Sequence, residues 1–107
     1  AIARPKPQLP KSPLRRQLET ILAEDVFPYI LEAPPDQQRN IRAAGRTTVD
    51  QIEIMKASTK IKIGRIIKLI LAWLKLLPIN NPYYIEQEAK IKAEQILRIV
   101  EEKHNQS

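Results

Sequence analysis

Cysteine is absent from the 107 residues, so no disulfide framework and no thiolate metal site can form, and stability must come from packing. The same absence suits a reducing, intracellular setting, whether cytoplasmic, nucleoid or nuclear. Histidine occurs once, as His104 near the end of the chain, too few for the usual zinc ligand sets. Ser12, Ser58 and Ser107 therefore have no imidazole placed to activate them. The two glycines, Gly45 and Gly64, lie too far apart for a phosphate-cradling Gly-rich loop, and they leave little hairpin chemistry. The longest unbroken apolar run is Leu69 to Leu74, far short of the ~20 residues a bilayer span needs. Adjacent carboxylates occur at Glu24-Asp25 and Glu101-Glu102. Neighbours on a helix point about 100° apart, so these read as solvated surface and not as an acid–base pair. The expectation is a domain with no catalytic centre, no cofactor and no metal.

What is present is an ample supply of Ile, Leu and Ala, enough for one core in one domain. Charge is zoned: residues 1–18 carry five bases and no acid, residues 19–36 five acids and no base. Residues 37–85 hold nine bases against only Asp50 and Glu53, and the whole chain is +6. The first residue is Ala1, which reads as a processed chain or an excerpt of a longer one.

Residues 1–12 form a Pro-rich basic arm or linker, expected to be disordered. Its Arg4-x-x-Pro7-x-x-Pro10 spacing also occurs in polyproline ligands, but a plain tether is the reading preferred. A single helical domain should occupy 13–104, with 105–107 a frayed tail. Ser12 and Pro13 supply an N-cap and first helical position, followed by Leu14, Leu18, Ile21 and Leu22 on one face. Pro28 either kinks this helix or follows Asp25 as the cap of a second, short helix through Leu31. Pro35 opens a short helix through Ala44, with Gly45 suited to its C-terminal turn. Thr48 and Gln51 have the form of a capping box, so a new helix should start there and run toward Pro78, with a break near Ala57 as the alternative. Asn81-Pro82 starts the last helix, which turns Ile85, Ala89, Ala93, Ile96, Ile99 and Val100 inward. Glu86–Lys90, Glu88–Lys92 and Glu94–Arg98 are i,i+4 pairs assigned to its wet face. The fold class is all-α, an orthogonal bundle of four to five helices.

From Ile54 to Ile85 there is no acid, while Lys56, Lys60, Lys62, Arg65, Lys68 and Lys75 add six positive charges. On a wheel Lys60, Arg65, Lys68 and Lys75 share an arc of roughly 140° opposite Ile63, Ile66, Ile70, Trp73 and Leu74. The lead reading is a regulatory or adaptor domain that binds nucleic acid, such as DNA. Its contacts would be Arg39, Arg42, Arg46, Lys56, Lys60, Lys62, Arg65 and Lys68. Residues 46–71 have the outline of a helix-turn-helix, with the second helix entering through Thr59 and Lys60. The alternative is a protein–protein or oligomerisation module, a homodimer included, with Tyr83, Tyr84, Leu69 and Leu76 at the interface. A bland lysine-rich core helix and a membrane-surface helix are the remaining readings; the membrane one is disfavoured because the bundle needs this helix to pack on.

Overall fold

The computed structural model describes residues 12–56 and 61–105, and these fold into five α-helices with no strand among them. They are α1 (Pro13–Ala23), α2 (Phe27–Glu32), α3 (Pro35–Lys56), α4 (Ile63–Leu74) and α5 (Pro82–Asn105). The Pro-rich arm, residues 1–11, lies outside the described residues.

Local chemistry fixes both ends that the sequence marks most clearly. The Ser12 hydroxyl accepts from the Arg15 N–H at 3.1 Å, and Asn81 Oδ1 accepts from the Tyr84 N–H at 3.1 Å, each beside a proline at the first helical position. α1 stops at Ala23, where Asp25 takes φ 66°. Asp tolerates that left-handed conformation better than most side chains, so it turns the chain here and does not cap α2. Val26 stands at the cap position instead, fully buried, and Pro28 falls in the first turn of α2, where its missing N–H costs nothing. Gln38 then ties α2 to α3 by donating to the carbonyls of Leu31 (3.2 Å) and Ala33 (2.8 Å).

The expected break at Gly45–Thr48 does not exist: α3 runs unbroken for 22 residues. Thr47 and Thr48 turn their hydroxyls back onto the carbonyls of Ala43 (3.2 Å) and Ala44 (2.9 Å), so no capping box forms. Ile41, Val49, Ile52 and Met55 are all buried along one stripe, and that continuous tertiary contact outweighs a local start signal. Residues 61 and 62 are not helical, so α3 and α4 are separate helices. α4 begins at Ile63 and not at Thr59, which lies outside the described residues. The turn near Ala57-Ser58 and the entry through Thr59 and Lys60 lie outside the described residues; what the structure does show is that α3 is far longer than the first helix of a helix-turn-helix.

The core is one cluster of Ile, Leu, Val and Ala from all five helices, with the most extensive packing between α4 and α5. α5 departs from its expected face at one pair. Lys92 is only 2% exposed and Glu88 7%, so this couple is buried and not part of the wet surface, while Ile99 is half-buried. Tyr84 packs on Tyr29 with ring centroids 6.2 Å apart, and its hydroxyl donates to the Asp25 carbonyl at 3.3 Å. Burial first, then the charges of Glu88, Tyr29 and Asp25, raises the Tyr84 phenol above its ordinary value of 10.0. The unfolded chain therefore loses this proton first as pH rises. The stabilisation from protonated Tyr84 is complete below pH 10 and is lost through the higher folded value. Denaturant unfolding at pH 9 and pH 11 should show a smaller alkaline loss in Tyr84→Phe than in the parent; equal losses would remove this role.

Candidate nucleic-acid interface

Arg39, Arg42 and Arg46 are spaced i, i+3, i+7 on α3, so the helical repeat puts them on one exposed face. Arg39 is ion-paired with Asp36 one turn earlier, both side chains being well exposed. Arg42 and Arg46 rim a hollow between α1, α2 and α3. Lys62, Arg65 and Lys68 are also exposed and surround a separate open depression at the start of α4, together with Ile63 and Gly64. Lys60 lies outside the described residues, and of Lys56 only its place as the last residue of α3 is described.

The eight candidate cations therefore divide. Trp73, in the last turn of α4, donates its indole N–H to the Ile41 carbonyl at 2.9 Å. Trp73 lines the hollow that holds Arg42 and Arg46, whereas Arg65 lines the other depression with Lys62 and Lys68. The cations thus line two different depressions, one beside α3 and one at the head of α4.

Electrostatics at the α4 patch run against helix preference. Lys62 occupies the cap position in an extended conformation and gives no side-chain hydrogen bond, and the first turn contains no acid. Cations beside the positive end of a helix dipole are unfavourable; the Arg65 and Ile66 N–H groups are taken by the Lys62 carbonyl, and Lys62 gives those of Ile63 and Gly64 no side-chain cap. A Cβ added at Gly64 would meet nothing within 4 Å, so a ligand can approach the backbone there.

Arg15 has a role that the charge zoning hid. Its guanidinium bridges Asp50 (2.6 Å) and Glu53 (2.7 Å), the two acids of the basic zone, and clips α1 to α3. The hydrogen bond to Asp50 chiefly raises its already high pKa; burial opposes this, and Glu53 adds to it. The carboxylates that would offset the basic zone are thereby already engaged. The signal was an Arg at the outer edge of the α1 apolar stripe, but its partners lie 35 and 38 residues away.

Of the four residues assigned to a protein interface, Tyr83 is 70% and Leu76 51% exposed, whereas Tyr84 and Leu69 are half-buried against the core. No described helix is long and apolar enough to cross a membrane. Comparison of the chain with protein-family models, with curated proteins and with solved structures returns no match.

Proposed function

We propose that this is a non-enzymatic helical adaptor that binds nucleic acid through the basic head of α4, with Lys62, Arg65 and Lys68 as its contacts. The observation that carries this reading is three exposed cations at a helix N-terminus that has neither an acid nor a capping side chain. Alone, that arrangement destabilises the helix; a phosphate among the cations at the positive end of the helix would relieve it. The bridging of Asp50 and Glu53 by Arg15 supports the same reading, since it removes the nearest competing carboxylates in sequence.

Titration of a short DNA duplex at several salt concentrations tests it. Affinity should fall as salt rises, with a log–log slope near about −3 if three phosphates are met, at roughly 0.9 per contact. Arg65→Ala and Lys68→Ala should each flatten that slope by about 1, while Lys90→Ala on the exposed face of α5 should leave it unchanged. Absence of binding at low salt, indifference to salt, or equal effects of all three substitutions would end the proposal. A second reading, a self-associating or protein-binding module, draws on the exposure of Tyr83 and Leu76. A concentration-dependent dimer in sedimentation, without affinity for nucleic acid, would favour it.

A further inference from the structure

The hollow rimmed by Arg42 and Arg46 is separate from the α4 patch and has its own chemistry. It offers about 270 Å³ open to solvent; its floor is the buried Leu22, Ile30 and Val49 with the Trp73 ring, and the half-buried Glu19 of α1 also lines it. Gly45 opens it. A Cβ there would come within 3.1 Å of Trp73 Nε1, so only glycine lets the indole approach α3 without displacement. At the mouth Phe27 is 47% exposed, and Leu31, one helical turn further along α2, is 54% exposed. An apolar lip on one side and two arginines on the other thus border the recess, and the two guanidinium groups outnumber the single carboxylate of Glu19 in its wall.

Size and chemistry narrow the occupant. Pockets for drug-sized ligands run to roughly 300–1,000 Å³, so a space of 270 Å³ suits a single ring or branched side chain, not an extended cofactor. The one indole N–H is already given to Ile41, which leaves the floor without that donor for reading the edge of a nucleobase. The guanidinium forks at the rim match carboxylates in geometry and charge. Exposed Phe and Leu beside a recess are the usual surroundings of an interface anchor.

We infer that this hollow docks an acidic segment of a partner protein. One aromatic or large aliphatic side chain enters against Leu22, Ile30, Val49 and Trp73, and carboxylates beside it meet Arg42 and Arg46. The inference does not depend on the nucleic-acid reading; with both, the domain joins a polyanion at one patch to a protein at the other.

Trp73 is the chain's single tryptophan, so its emission reports the hollow directly. The probe is a capped pentapeptide with Phe flanked by two glutamates on each side, titrated against the intact chain. Companion peptides replace the Phe by Ala or all four glutamates by lysine. The first peptide should change Trp73 emission saturably at or below about 1 mM, the weak end of specific recognition. The Ala and Lys versions should bind at least about tenfold more weakly. The double variant R42A/R46A removes exposed side chains, should keep its thermal midpoint, and should weaken the first peptide about tenfold. No saturable change, or equal binding of the lysine peptide, overturns the inference. It is equally overturned if phenylacetate alone binds as tightly, which would make this a small-molecule site. The same holds if oligothymidine gives the same arginine-dependent signal while the peptide gives none. The peptide series on the unmodified chain decides the matter even if the double variant fails to fold.

Discussion

Lys92→Met is expected to destabilise the fold by about 3–5 kcal/mol, the usual cost of removing one partner of a buried ion pair. Lys92 is 2% exposed, and its ammonium donates to the Ile21 carbonyl at 2.9 Å and the Glu24 carbonyl at 2.5 Å and is ion-paired with Glu88 Oε1 at 3.3 Å. The two carbonyls belong to the end of α1, where a helix has no N–H of its own left to offer, and a cation there also suits the helix dipole. Lys92 of α5 is thus the C-terminal cap of α1, delivered from 71 and 68 residues away. Methionine keeps an unbranched apolar stem of similar length but leaves a carboxylate and two carbonyls buried without their donor. For a chain of this size the loss corresponds to a fall in Tm of at least about 12 °C, since 1 kcal/mol is worth roughly 4–8 °C. Combining it with Glu88→Gln should cost less than the two single changes together, because the carboxylate stranded by the first is neutralised by the second. A Lys92→Met protein within about 1 kcal/mol of the parent would show that the pair is not worth what breaking a buried ion pair usually costs.

The same lysine shows where the sequence misleads. Ile85, Ala89, Ala93 and Ile96 define the buried stripe of α5, and position 92 lies within it, one turn before Ile96. The periodicity therefore marked Lys92 as interior, but the favourable Glu88–Lys92 spacing is equally at home on a wet face. What decides is the end of α1 arriving overhead, which no local pattern encodes. Ser12 and Asn81 were legible because a cap is closed within three residues. The Thr48 start signal was equally local, but tertiary burial of Ile41, Val49 and Ile52 overrode it. Of the wheel's four cations, Arg65 and Lys68 lie exposed on α4, Lys75 stands at its C-cap and Lys60 lies outside the described residues. That Arg65 and Lys68 line a different depression from Arg42 and Arg46 could not be read from the wheel, because it follows from Trp73 meeting α3 near Ile41 and Gly45. The hollow was invisible for the same reason.

Gly45→Leu tests that long-range meeting most directly, and the expected loss is about 2–4 kcal/mol. Helix propensity alone predicts the opposite, since leucine in a helix interior is favoured over glycine by nearly 1 kcal/mol. The Cβ alone is crowded: it lies 3.1 Å from Trp73 Nε1, 3.5 Å from Cε2 and 3.7 Å from Cζ2. The three further carbons of leucine either press on the ring or fill the hollow beside it, and in neither case do they relieve the contact at Cβ. The indole cannot easily retreat, being 5% exposed and held by its 2.9 Å hydrogen bond to the Ile41 carbonyl. Overpacking costs about 1–3 kcal/mol and the lost buried hydrogen bond about 1–3 more, together enough to outweigh the propensity gain. Gly45→Ala separates the two effects. It asks the ring to yield only a few tenths of an ångström while collecting most of the propensity gain, so its stability should stay close to the parent's. Trp73 emission should shift to the red in Gly45→Leu and not in Gly45→Ala, as the ring is driven toward water. A leucine variant as stable as the alanine one, with unshifted emission, would mean that the helix–indole contact is loose and that the hollow beside it has no fixed floor.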